Sequence, residues 1–229
     1  MKTVLNIVLG VCVLALVWIC YDSIMGPINF EKAQKERESA VIARLIDIRQ
    51  AQQHYRATHR GQYAENFDTL INFVKTQKLP LVKKEGELTD EQMKEGITTE
   101  KKAMSIINRA QKTGNYSEVK KYGLENFKRD TMWVSMLDTV YPKGFNPDSM
   151  RYIPYGNGAQ FELNTRTDST SSGSAVYLFE VKAAYETYLG GLNHQEIVNL
   201  KDMAEKTYRY PGLMIGSLET PNNGTGNWE

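Results

Sequence analysis

The uncharged apolar segment from Thr3 to Tyr21 constrains this chain more than any other feature. It reads TVLNIVLGVCVLALVWICY, whereas the rest of the chain is polar. A helix rises about 1.5 Å per residue, so the segment is long enough to cross a hydrocarbon core of about 30 Å. The sequence therefore predicts a transmembrane anchor over residues 1–25, and we expect Gly26-Pro27 to interrupt the helix near Met25.

A cleaved signal peptide is the competing interpretation of this segment, because Lys2 precedes the apolar run. Signal h-regions cover about 7–15 residues and end at a small-residue cleavage site. Here the apolar run continues through Trp18 to Tyr21, and no A-x-A pattern follows it. The length of the run favours an uncleaved anchor.

The orientation of the anchor is predicted from the size of the domain that follows it. Lys32, Lys35 and Arg37 lie just after the anchor and Lys2 lies before it, so a count of basic residues favours a cytoplasmic domain. Long domains, however, cross the membrane largely regardless of flanking charge. We therefore expect the amino terminus inside and the domain outside, with the opposite topology as the alternative.

Charge and cysteine content exclude several classes of function. The formal net charge is +1, so a strongly basic surface for nucleic acid is not expected. Cys12 and Cys20 both lie in the apolar run, so the rest of the chain has no disulfide framework and no thiolate metal site. Both cysteines are interpreted as small apolar packing residues.

The helical patterns predict a domain of the α+β class over residues 26–220. Val41, Leu45 and Ile48 recur at helical spacing, which indicates a long amphipathic helix docked on a core. A small helical insertion is predicted over residues 88–114, which carry a capping box and end at a glycine.

The second half of the domain is predicted to contain an antiparallel sheet. Its segments are short, rich in aromatic and β-branched residues, and separated by turn residues. The long helix is expected to cover one face of this sheet. Residues 221–229 lack periodicity and are predicted to form a loosely ordered tail. The predicted strands are TMWVSMLDTVY, MRYIPY, AQFELNTRT, SAVYLFEVKAAY and Gly212–Leu218.

No pattern typical of a catalytic or cofactor site occurs in the sequence. There is no nucleophile elbow, phosphate-binding loop, dinucleotide fingerprint or H-E-x-x-H zinc motif. His54 and His59 are five residues apart, a spacing that does not place two imidazoles on one helical face. We therefore expect no enzyme, no cofactor and no catalytic or metal-ligating residue.

Tyrosines crowd the strand-rich half of the chain and form the candidate interaction surface. Amphipathic aromatic side chains are favoured at binding surfaces, where they could contact a glycan or a peptide. The alternative is that they occupy strand positions for which aromatic residues have an intrinsic preference. The candidate residues are Tyr152, Tyr155, Tyr177, Tyr185 and Tyr188.

The segment Ala43–Phe73 resembles the back half of the long first helix, and the loop after it, of bacterial type IV pilins and pseudopilins. Arg49, Tyr55, Gly61 and Tyr63 carry the resemblance. The start MKTVLNIV lacks the Gly-Phe-Thr-Leu-x-Glu sequence that prepilin peptidases cut in those families. The resemblance implies an anchored helix-on-sheet domain in the bacterial envelope.

Together these observations predict a single-pass protein of the bacterial inner membrane with a periplasmic domain. The expected role is that of a non-catalytic structural or interaction subunit with protein partners in the envelope, or with further copies of itself. Two alternatives stay open. One is a module that binds a glycan or peptide through a tyrosine-rich sheet, and the other is a pseudopilin-like component of a filament or secretion system.

Overall fold

A single long helix, α1 (Lys2–Thr58), begins the fold and runs without a break through Pro27. The computed structural model describes residues 2–169 and 173–229, apart from the side chains of residues 2–5 and 22. Because α1 continues to Thr58, the prediction that the helix ends near Met25 is wrong. An interior proline removes one backbone hydrogen bond, a loss that a helix can absorb when helical turns continue on both sides of it.

The chain divides into two compact units, the first of which comprises the chain up to Val74 together with Gly144–Glu229. Besides α1 it contains a three-stranded antiparallel sheet, in which β4 (Ala175–Ala184) lies between β3 (Glu162–Ser169) and β5 (Gly212–Gly216). Phe179 on the central strand lies opposite Thr165, and Val181 lies opposite Ile215. Its further α-helices are α2 (Phe67–Thr76), α7 (Tyr185–Tyr188) and α8 (His194–Lys206).

The second half of α1 packs on this sheet and makes the core of the first unit. Val41, Leu45 and Ile48 are fully buried, and α1 contacts β5. From the sheet, Val181 and Ile215 are fully buried as well. The prediction of an amphipathic helix on an antiparallel sheet within an α+β fold is confirmed, although the sheet is small.

One predicted strand of the second half, MRYIPY, is not a strand, and another, TMWVSMLDTVY, is a strand only in its first part. Asn146 accepts a hydrogen bond from the Asp148 N–H through its side chain and opens a 3-10 turn, Pro147–Arg151, where MRYIPY was expected to extend. Its proline occupies the first position, where the missing N–H is not needed. The end of TMWVSMLDTVY forms a short helix, α6 (Met136–Val140), instead of continuing the strand.

The second compact unit, Lys75–Lys143, contains the predicted helical insertion and extends beyond it on both sides. Its two strands, β1 (Lys78–Glu85) and β2 (Lys128–Ser135), pair antiparallel. Proline lacks a donor and is accepted in edge strands, which explains why β1 can contain Pro80. Between the strands lie α3 (Asp90–Lys94), α4 (Glu100–Thr113) and α5 (Ser117–Lys121).

The helices of the second unit follow the local sequence signals and enclose a core of their own. Thr89 and Gln92 form the predicted capping box at the start of α3. A left-handed Gly114 ends α4. The core consists of Ile97, Ala103, Ile106, Ala110, Val119, Leu124 and Phe127.

The tail over residues 221–229 is held against the sheet, which differs from the expected loose order. The Asn227 N–H donates to the Met214 carbonyl at 3.0 Å, and the Met214 N–H donates to the Asn227 side-chain oxygen at 3.1 Å. Gly226 forms a bridge with Ile215 on β5. Side-chain bonds to backbone groups fix this segment, and such bonds carry no periodicity that a sequence can display.

Candidate interaction surfaces

The first half of α1 is an exposed apolar surface. Leu14, Val17 and Trp18 are 62–71 % exposed, and Phe30 is the first residue of the helix to be buried among those described. The most apolar window of α1 has a mean hydropathy of 2.3, and none of it is buried in the protein. This helix is therefore long and apolar enough to cross a membrane, and the absence of burial excludes a role as an internal core helix.

The five candidate tyrosines lie on three different elements and do not form one surface of the sheet. Tyr152 and Tyr155 are exposed in the loop that follows the 3-10 turn, and Tyr177 lies half-buried on β4. Tyr185 and Tyr188 lie on α7, with ring centroids 6.0 Å apart. Tyr188 is fully buried and cannot contribute to an accessible surface.

Arg37, which entered the sequence analysis only as one of the basic residues after the anchor, joins two of the tyrosine-bearing elements to α1. Its guanidinium donates to the backbone carbonyls of Tyr188 and Gly190, each at 2.9 Å. The same group lies 5.2 Å from the ring centroid of Tyr155, within the range of a cation–π interaction. The Tyr155 hydroxyl in turn donates to Glu36 at 3.2 Å. These contacts give Tyr155 and the backbone around Tyr188 a structural role.

The segment that carries the pilin resemblance is held by a buried glutamine. Gln52 is fully buried at the end of α1, and its side-chain amide donates to the Ala64 carbonyl at 2.9 Å. The Ala64 N–H donates back to the Gln52 side-chain oxygen at 2.8 Å. Beyond this clamp, the ring of Tyr63 packs on Phe179 of the sheet at 4.4 Å between centroids.

His59, the residue after the end of α1, makes local contacts. His59 stacks on Tyr55 with 3.8 Å between ring centroids, and its Nδ1 lies 2.9 Å from the Thr58 hydroxyl. Within residues 2–169 and 173–229, no group of three or more His, Cys, Asp or Glu side chains is arranged to hold a metal ion.

A cleft of about 300 Å³ lies in the first unit, where α1, α7, α8, β5 and the tail meet. We call it the α1–α8 cleft. Its wall combines one carboxylate, one guanidinium, two phenols and several apolar side chains. The lining residues are Gln34, Glu38, Tyr185, Leu200, Met203, Ala204, Thr207, Arg209, Tyr210, Gly212, Leu213, Asn227 and Trp228.

Burial moves the titration of the phenols around this cleft still further above neutral pH. It raises the pKa of Tyr185, of Tyr210 and, most strongly, of Tyr188. The Glu38 carboxylate adds to the increase at Tyr185 and Tyr188, whereas the Arg209 guanidinium opposes it at Tyr185. The three hydroxyls are therefore neutral hydrogen-bonding groups at neutral pH.

No protein family model, no curated protein and no solved structure matches this chain.

Proposed function

We propose that this protein is a single-pass, non-catalytic structural or interaction subunit of a bacterial envelope assembly, with α1 as its anchor and the rest of the chain in the periplasm. The observation that carries the proposal is the change of environment along one continuous helix. Among the side chains that the structure describes, those of residues 6–29 are largely exposed, and from Phe30 onward one stripe of α1 is buried in the domain.

Exposing the apolar side chains in the first half of α1 to water costs free energy. Each apolar side chain buried in lipid instead of water contributes roughly 1.5–3 kcal/mol. Contiguous exposed apolar patches of this extent mark sites of membrane or protein contact. A lipid bilayer can surround this half of the helix, because the backbone N–H and C=O groups are already hydrogen-bonded within the helix.

Between the apolar run and the first fully buried stripe, α1 carries exposed charged residues. Glu31 and Lys35 form an exposed ion pair at 2.6 Å, one turn apart. A helical stretch with charged residues on most sides suits contact with water or with partner helices. This stretch and the apolar run together are the surfaces through which the subunit would meet its partners.

A pseudopilin-like filament or secretion component is the second candidate. It is favoured by the continuity of α1 through Pro27 and by the packing of its second half on an antiparallel sheet. Both features accord with what the resemblance of Ala43–Phe73 implies. In this version of the proposal, the partner of α1 is α1 of another copy.

Site-specific photocrosslinking in the native membrane tests the proposal. A photoreactive phenylalanine analogue is placed singly at Ile24, Ile28, Glu31 and Lys35, which follow one face of α1, and at the exposed Asn29 and Glu36, which lie on a different face of the helix. The same analogue at the fully buried Val41 is the control. We expect discrete protein adducts from one face and none from the control.

The identity of the adducts separates the two candidates. Adducts with other envelope proteins support the interaction subunit, and adducts only with a second copy of this chain support the filament component. The absence of any protein adduct from every exposed position contradicts both.

A further inference from the structure

We infer that the α1–α8 cleft is a binding site for a zwitterion of amino-acid size, with the ammonium group of the ligand at Glu38 and its carboxylate at Arg209. This inference goes beyond the proposed function and does not depend on the anchor. It rests on two unpaired opposite charges and on the aromatic and apolar walls between them.

The first observation is that Glu38 and Arg209 lack ionic partners. Glu38 is half-buried, and its Oε1 accepts a hydrogen bond from the Gln34 side chain at 2.9 Å. In the described part of the chain, neither Glu38 nor Arg209 forms an ion pair, with each other or with any other residue. A partly buried charge without a counter-charge, such as Glu38, is costly, and a cationic group of a ligand removes that cost. Arg209 is exposed at the rim of the cleft, where its guanidinium is accessible to an anionic group.

The second observation is that both charges act on the same hydroxyl. Glu38 raises the pKa of Tyr185, and Arg209 lowers it. Both groups also line the cleft, yet they form no ion pair with each other in the described structure. One ligand that carries both a cation and an anion can therefore satisfy both, and a ligand with a single charge leaves one of them unpaired.

The third observation concerns the walls of the cleft. Tyr210 and Trp228 provide aromatic surface, and Met203, which is 65 % exposed, provides a flexible apolar side chain. Aromatic faces attract ammonium groups, and Met adapts to varied apolar shapes. The cleft of about 300 Å³ is at the small end of ligand pockets, which matches an amino acid.

The fourth observation is the Tyr188 hydroxyl, which is buried and has no hydrogen-bond partner in the described structure. Glu38, Tyr185 and Tyr210, all of them lining residues of the cleft, are the groups that act on it electrostatically. Buried polar groups without a partner are uncommon and call for an explanation. Tyr188 does not line the cleft, so its hydroxyl is a further polar group buried beside the site and not a ligand contact.

Calorimetric titration of the full chain in detergent micelles tests the inference with three related probes. L-phenylalanine carries both charges, L-phenylalaninamide lacks the carboxylate, and 3-phenylpropionate lacks the ammonium group. We expect saturable one-to-one binding of L-phenylalanine, and binding at least roughly tenfold weaker for each of the other two, since each loses one charge-assisted contact.

Two variants assign the charges to their partners. Glu38→Gln should weaken L-phenylalanine at least roughly tenfold and leave 3-phenylpropionate unchanged, because that probe has no ammonium group to lose. Arg209→Gln should weaken L-phenylalanine similarly and leave L-phenylalaninamide unchanged. Glu219→Gln and Arg166→Gln, which remove exposed charges outside the cleft, are the matched controls and should leave all three affinities unchanged.

The inference is overturned by any of three results. These are the absence of saturable L-phenylalanine binding at roughly 10 mM, equal affinity for the three probes, or equal affinity in the two cleft variants and the wild type. Circular dichroism of each variant verifies that the fold is intact, so that a lost affinity reports on the cleft.

Discussion

The clamp between Gln52 and Ala64 gives the sharpest stability prediction. Gln52→Leu keeps the side chain close to its original volume and removes both of its hydrogen-bonding groups. The Ala64 N–H and C=O, which now bond to Gln52 at 2.8 and 2.9 Å in a buried site, then lose their partners. Ala64 is 1 % exposed, so water cannot replace them without opening the loop.

The magnitude follows from these two orphaned groups. Leaving one buried donor or acceptor unsatisfied costs about 1–3 kcal/mol, so losing both partners should lower the free energy of unfolding by roughly 2–6 kcal/mol. Leucine gains little in return, because the site is already filled by the glutamine. An effect of this size is a large fraction of the stability of a typical domain.

Urea unfolding of the full chain in a non-ionic detergent measures the change. Trp228 is half-buried in the same unit as Gln52, so tryptophan fluorescence reports on that unit once Trp18 and Trp133 are replaced by phenylalanine in the parent protein and in every variant. Gln53→Leu is the matched control, because Gln53 is exposed and should change stability by no more than about 0.5 kcal/mol. An equally small effect of Gln52→Leu would refute the reasoning.

Three further predictions follow from the contacts of the first unit. Gly216→Ala should lower the free energy of unfolding in urea by at least about 3 kcal/mol, since the Gly216 backbone is left-handed and a Cβ would meet a carbonyl oxygen of β4 at 2.1 Å. Gly158 is also left-handed but lies in open space, so Gly158→Ala should lower it by only about 1–2 kcal/mol. Arg37→Met should lower the free energy of unfolding by about 2–3 kcal/mol, because two carbonyls lose a charged donor. Arg37→Lys should recover part of the lost stability, and an unchanged stability of the methionine variant would contradict the structural role of Arg37. Lys201 donates a hydrogen bond to Glu186 at 2.6 Å and lowers the pKa of that carboxyl group. The pair therefore stabilises the fold above the ordinary glutamate pKa, and this stability is lost as the pH falls through the lowered pKa. Between roughly pH 5 and pH 3 the melting temperature of Glu186→Gln should fall less than that of the wild type, and parallel profiles would contradict the assignment.

Local signals in the sequence were sufficient for most of the helices. The stripe of Val41, Leu45 and Ile48 predicted the helix that covers the sheet, and the capping box marked the start of α3. These signals act within one or two turns, so neighbouring residues determine them. The break expected at Pro27 failed because helical turns on both sides outweigh one missing hydrogen bond.

The surfaces were much less accessible to sequence reasoning. Tyr155 and Tyr188 look alike in sequence, yet one is exposed and the other is fully buried, because burial depends on what α1 places over them. The α1–α8 cleft combines residues as distant in sequence as Gln34 and Trp228. No local pattern could bring these residues together, whereas the packing of α1 on the sheet does.

The measurement that tests the central claim most directly is protease protection in bacterial cells that carry the full chain with a C-terminal tag. The account predicts that protease added to intact spheroplasts removes the tag, and that without protease the protein stays in the membrane pellet after alkaline carbonate extraction. A tag that is protected until the inner membrane is ruptured, or a full-length protein released by carbonate, would contradict an α1 anchor that holds the domain in the periplasm.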